Sequence, residues 1–286
     1  MSSTPLAPEA ADLAPTWHGL VDDAATFPPG DADLGEAATA YEARRSLPWR
    51  GLVGSFVVKD ADLPRLRDFD GPVAVVITGG AGQIAGPLDL AERLGIEVAA
   101  VEIALRDLDD LAGNARRVTA ALDATGRDVR LHVELPVTRP SAGWLAAADE
   151  VAAVEQRLKF RTGGLDASAF PASADLAACI DAALDRETPF KCTAGLHHAV
   201  RHESRDGDWT HHGFLNILLA TAAAWDGADL QSVAGVLGEH SADALAESCR
   251  ELGDDLARAR RWFTSFGCCD VTEPHDDLLD LGLMEI

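Results

Sequence analysis

Two short segments each place a lysine in the middle of a β-like run. They read Arg157-Leu-Lys159-Phe-Arg161-Thr-Gly-Gly164 and Pro189-Phe-Lys191-Cys-Thr193-Ala-Gly195. Side chains alternate along a strand, so Lys159 and Arg161 share one face, and Lys191 and Thr193 share another. Leu158, Phe160, Phe190 and Cys192 are then the outward apolar set. Only three of the 24 basic residues are lysines, Lys59 being the third. Two ammonium groups facing each other in a closed site disfavour double protonation, which leaves one as a nucleophilic amine near neutral pH. Such an amine attacks carbonyl carbons and forms imines. Glu102 and Glu134, at matching heights in neighbouring runs, are the candidate proton shuttles. The bland counterpart is an ion network of the same residues that only fills the interior.

Around this pair lie the candidate binding groups. Arg161, Thr162, Thr193, His197 and His198 follow or flank the lysines and suit an anionic substituent on the substrate. Asp22 and Asp23 follow the first run, and one of them could orient a lysine or a substrate hydroxyl. Five of the nine histidines fall between positions 197 and 212. No Cys-x-x-Cys pair and no zinc-type Cys/His spacing accompanies them, so the sequence leads us to expect no metal and no cofactor. Cys179, Cys192, Cys249, Cys268 and Cys269 read as buried thiols.

The elements that must hold these groups alternate in type. Apolar β-like runs at 19–21, 52–58, 73–78, 98–104, 129–135, 158–162, 190–193 and 262–268 are separated by helical patterns at 34–45, 63–69, 84–94, 108–124, 141–155, 173–185 and 214–225. Strands joined through helices pair in parallel by right-handed crossovers. Eight such units predict one α/β domain over 1–286, a (β/α)8 TIM-barrel-like fold of parallel strands. Residues 1–15 read as a loose arm, and 214–263 as extra helices before the last strand. A doubly wound open sheet is the rival arrangement. In a barrel the polar faces of the sixth and seventh strands point inward near the C-terminal ends, where such enzymes keep their sites.

The lysine segments resemble deoxyribose-phosphate aldolase and related Schiff-base aldolases. That family carries Lys-Thr-x-Thr-Gly on the sixth strand and Lys-x-x-Gly-Gly on the seventh. The counterparts here are Lys159-Phe-Arg-Thr162-Gly163 and Lys191-Cys-Thr-Ala-Gly195. The resemblance implies a class I lyase with Lys159 as the Schiff-base residue and Lys191 as the neighbour that lowers its pKa. The family's proton-relay aspartate falls on Ala99, and its phosphate-binding positions are replaced by Leu196-His197-His198.

Another motif points elsewhere. Gly80-x-Gly82-x-x-Ala85 follows an apolar run and resembles the dinucleotide turn of the extended short-chain dehydrogenases, with Glu102 placed for a ribose. The Tyr-x-x-x-Lys of those enzymes is absent, since the only tyrosine is Tyr41. A nicotinamide-dependent oxidoreductase is therefore the alternative, and a non-catalytic metabolite-binding barrel the third reading.

Composition narrows the partners. The formal charge of −23 argues against nucleic acid and anionic membranes, because both would repel this surface. The opening residues lack a signal-peptide pattern, and the apolar stretch at 215–225 is too short for a bilayer. The expectation is an acidic, cytoplasmic protein acting on a small carbonyl compound, its homo-oligomeric state left open.

Overall fold

The computed structural model describes residues 13–204 and 209–285. Most of the expected loose arm, and residues 205–208, lie outside the described residues. Eight parallel strands close into a barrel: β1 (Val21–Asp23), β2 (Val53–Lys59), β3 (Val73–Ile77), β4 (Val98–Ala104), β5 (Arg130–Leu135), β6 (Arg157–Arg161), β7 (Phe190–Thr193) and, after a two-residue hairpin pair β8 (His202–Glu203) and β9 (Thr210–His211), β10 (Phe263–Cys268). The order around the barrel is β1-β10-β7-β6-β5-β4-β3-β2, with β2 returning to β1. This is the (β/α)8 TIM-barrel architecture, and the open-sheet alternative is excluded by closure.

The helices are α1 (Leu34–Arg44), α2 (Ala85–Leu94), α3 (Leu111–Asp123), α4 (Ala142–Ala152), α5 (Ser173–Leu184), α6 (Phe214–Trp225), α7 (Leu230–Leu237), α8 (Ala242–Leu252), α9 (Leu256–Ala259) and α10 (Thr272–Asp280). Five of the starts are held by side chains that accept free backbone N–H groups, as Asp33 does for α1, Asp110 for α3 and Ser141 for α4. Helix α2 stops at Gly95, which takes the left-handed conformation at φ 70°. The helix expected at 63–69 is instead a 3-10 segment, Asp60–Arg65. Pro64 lies inside it and supplies no N–H for continuation. The additions expected over 214–263 are the four helices α6 to α9, and α8 ends at Gly253, where φ is +49°. Ser173 begins α5 without capping it. That helix lies within Ala167–Leu184, a segment long and apolar enough by composition to cross a membrane, yet Leu176, Ala177, Cys179 and Ile180 are fully buried in the fold.

Two kinds of side chain share the strands. The outward set, including Val73, Val75, Val101, Leu158, Phe160 and Phe190, is solvent-free beneath the helices. Inside the barrel, Val57, Ala74, Ala100 and Val76 form a separate apolar patch on the β2–β4 side. The opposite inner wall, from β5 through β10 to β1, is polar. This division gives the interior one greasy half and one charged half.

Candidate active site

Register fixes the charged half. Glu134, Lys159, Lys191 and Ser265 are consecutive Cα partners across β5, β6, β7 and β10. Identical pleat positions on neighbouring parallel strands face the same side, so all four project inward. Glu102 reaches them from β4. Its Oε2 lies 2.8 Å from the Lys159 Nζ and its Oε1 2.6 Å from the Lys191 Nζ. Lys159 also meets Glu134 at 3.0 Å, and Arg161 Nε donates to the other oxygen of Glu134 at 2.9 Å. Lys191 also donates to Asp22 at 2.6 Å. Charge therefore alternates along one chain of contacts: Asp22, Lys191, Glu102, Lys159, Glu134, Arg161. Three cations offset three anions.

These contacts decide the protonation states. Burial pushes the Asp22 carboxyl upward, but the Lys191 ammonium and the Ser265 hydroxyl outweigh it and hold the group below its ordinary value. Burial likewise opposes ionisation of Glu102, and the two lysines overcome it, leaving Glu102 far below the carboxylate range. Glu134 is lowered in the same way, by Lys159 and Arg161 against burial. For Lys191, burial works against the cation, and Asp22 with Glu102 more than compensates, so its pKa is raised. The carboxylates thus reverse the simple repulsion expected of two lysines. Lys191 stays an ammonium ion.

Above this network opens a cavity of about 740 Å³ at the C-terminal ends of the strands. Its floor is Glu102, Glu134, Lys159 and Lys191, and Arg161 stands at its side. Phe27, Val57 and Val76 supply an apolar wall. Near the opening, Phe170 stacks on Trp209 at 5.2 Å and meets His211 edge-on at 4.8 Å. A smaller cavity of about 250 Å³ lies at the other end of the barrel, lined by Asp22, Ser55, His132 and Ser265 among others. Lys191 lines both cavities and separates them.

The expected binding residues divide. Arg161, Thr193 and His197 line the cavity. Asp22 lies below it, tied to Lys191 and accepting from the Ser55 backbone and hydroxyl. Asp23, at the adjacent position, turns outward and is buried against Arg44. Thr162 is also withdrawn, its hydroxyl donating to the Ala194 carbonyl at 2.7 Å. His198 turns away from the cavity towards Asp277. The histidine-rich loop is itself partly structured, because His202 and His211 pair across the β8–β9 hairpin with rings stacked 4.8 Å apart.

Other residues enter without having been singled out. Arg106 lines the cavity and donates to the Thr78 carbonyl. Ser55 and Ser265 hold Asp22, and alternation in their own strands points them inward. His132 is buried on β5 with neither ring nitrogen hydrogen-bonded. Burial and the nearby Lys191 lower its pKa to about 3, so the imidazole is neutral.

The glycine turn is a tight strand-to-helix connection. Gln83 folds its side chain over Gly79, within 1.7 Å of where a Cβ would stand. Glu102, the acid that a ribose would need, is committed to the two lysines inside the barrel. A closed barrel also lacks the switch-point crevice used by dinucleotide folds.

With strands, lysines and cavity in place, comparison with solved structures becomes informative. A crystal structure of the apo form of a protein provisionally named deoxyribose-phosphate aldolase, from Toxoplasma gondii ME49, matches with a TM-score of 0.55. The match covers 93% of this chain and 94% of that one at 12% identity. A second structure of that description from the same organism gives a TM-score of 0.52, also at 12% identity, over 93% and 92% of the two chains. The shared property is the fold. No family model and no curated protein matches this chain.

Proposed function

We propose that the protein is a lyase of the aldolase type, holding a small carbonyl substrate as an imine on Lys159. One observation carries the reading: Lys159 lies on the floor of the cavity between two carboxylates, beside a second lysine that keeps its proton. Lys191 is locked by two 2.6 Å contacts, whereas Lys159 is held at 2.8 and 3.0 Å. Lys159 is the one freer to react.

In this reading Glu134 takes a proton from the Lys159 ammonium group as substrate enters. The amine attacks the carbonyl carbon, a C–N bond forms, and the C=O π pair moves to oxygen. Glu134 returns its proton to that oxygen, then carries a second proton from nitrogen to the resulting hydroxyl, which departs as water. Overall an ammonium ion and a carbonyl give a protonated imine and water, so charge is conserved. The protonated imine then accepts the electron pair of the adjacent breaking C–C bond, while Glu134 takes the proton of the β-hydroxyl. Lys191 keeps Glu102 ionised and adds positive charge beside the reacting nitrogen. Arg161 and Arg106 suit a carboxylate or phosphate on the substrate.

Borohydride reduction in the presence of small aldehydes, ketones and keto acids tests this. The expected result is a stable adduct on the Lys159 peptide that Lys159→Met abolishes. No adduct with any carbonyl class, or an adduct confined to Lys191, overturns the assignment. The balanced charge chain favours one competing reading, a binding barrel whose ion network is structural. That protein would bind a small anion and show no reducible adduct.

A further inference from the structure

Outside the lysine network, the barrel mouth gathers a second set of reactive side chains from three separate elements. His197 follows β7, Cys268 ends β10, and Glu273 lies in the first turn of α10. His197 Nδ1 is 2.7 Å from a Glu273 carboxylate oxygen and 3.8 Å from Cys268 Sγ. One ligand atom from each of the three lies within 4.8 Å of the others.

We propose that His197, Cys268 and Glu273 form a binding site for a zinc-type divalent metal ion. Bonds of about 2.0–2.3 Å to a tetrahedral zinc put its N, O and S ligands about 3.3–3.6 Å apart. The observed 2.7 and 3.8 Å fall on either side of that range and all three atoms lie within 4.8 Å, so side-chain rotations bring them onto one ion. A sulfur, an imidazole and a carboxylate select zinc or cobalt over calcium and magnesium, which take oxygen ligands. Three protein ligands leave a fourth position for water or a substrate oxygen.

The scaffold holds these ligands in place. Cys268 belongs to a strand paired on both sides, with β1 and with β7. One turn after Glu273, Asp277 accepts from the Ala199 backbone at 2.6 Å and meets His198 at 3.2 Å. Helix α10 thereby pins the loop that carries His197. The imidazole's other nitrogen, Nε2, is 3.8 Å from Cys269 Sγ, so it can keep its proton there while Nδ1 binds metal. Binding replaces the Cys268 thiol proton, now directed to the Asp270 carbonyl at 3.0 Å, and releases it to solvent. His197 also lines the main cavity, which brings the ion to the edge of the substrate space.

Cobalt titration of chelator-treated full-length protein decides the matter. Expected are an intense near-ultraviolet thiolate-to-cobalt band and visible bands of tetrahedral strength, saturating at one ion per chain and displaced by zinc. Cys268→Ser should abolish the thiolate band, while Cys179→Ser and Cys249→Ser retain it. His197→Ala, at a partly exposed position that leaves the core intact, should also abolish saturable binding. A wild-type protein without the band overturns the site, as does a band that survives Cys268→Ser or requires Cys269 instead.

Discussion

Lys159 and Lys191 are register partners on adjacent parallel strands, and their ammonium groups sit on the two oxygens of one carboxylate, Glu102. Removing either cation strands a buried negative charge. Lys191→Met should therefore destabilise the fold by about 3–5 kcal/mol, the cost of an uncompensated buried ion. Adding Asp22→Asn should recover part of the loss, because the two residues share one interaction. Urea unfolding of the single and double variants measures both effects.

Acid should weaken the fold through two routes of the same sign. Asp22, Glu102 and Glu134 have folded pKa values below their unfolded ones. Their stabilisation is complete above the unfolded carboxylate value of about 4 and is lost as pH falls through the folded values. His132 is held at about 3 when folded. Unfolded histidine titrates near about 6.5, so the unfolded chain binds the proton first and stability falls with pH between those values. His132→Phe should remove the histidine part of that slope. It should also add about 1 kcal/mol at neutral pH by deleting two unpaired buried nitrogens. Unfolding midpoints followed from neutral pH into acid will show whether the slope flattens.

Gly163 and Gly195 bring the turns after β6 and β7 into backbone contact. A Cβ at Gly163 would lie 2.7 Å from the Gly195 Cα, and Gly195 itself has φ +74°. Gly163→Ala should cost about 2–3 kcal/mol through overpacking that no rotamer can relieve. At Gly80 a Cβ meets nothing within 4 Å. Gly80→Ala should stay within about 0.5 kcal/mol of the parent. Thermal unfolding of the two variants side by side is the measurement.

Nicotinamide cofactors should not bind tightly. Glu102 cannot serve both a ribose and two lysines. Calorimetric titration with NAD(H) and NADP(H) should show no saturation in the micromolar range. Micromolar binding lost in Gly82→Val would restore the oxidoreductase reading.

Period-two alternation carries most of what the sequence reveals about the interior. It put Lys159 and Arg161 on one face and turned Glu102 and Glu134 inward, but the two acids are not at matching heights: Glu102 pairs with His132, and Glu134 pairs with Ala104 two residues further on. The Asp22-Asp23 pair could be recognised as a candidate but not resolved, since which residue turns inward depends on strand pairing at β1. Ser55, Ser265 and His132 gave no local signal, because single polar residues in strands acquire meaning only when distant strands close the barrel. The same holds for His197, Cys268 and Glu273, whose separation in the chain conceals a shared point in space. Local breakers are legible too: Pro64 falls inside the 63–69 helical pattern, and Gly253 ends α8.

The position of Lys191 between the upper and lower cavities bears on stereochemistry. In the proposed reaction its side chain stands between the carbon beside the Lys159 imine and the lower cavity, so that carbon would take its proton from the upper mouth. Shortening the residue to alanine would join the two cavities and admit water from below. Where the enamine carbon carries two different substituents, the proposed reaction in heavy water would then place deuterium on either face, and loss of stereospecific labelling would report that the barrel had opened.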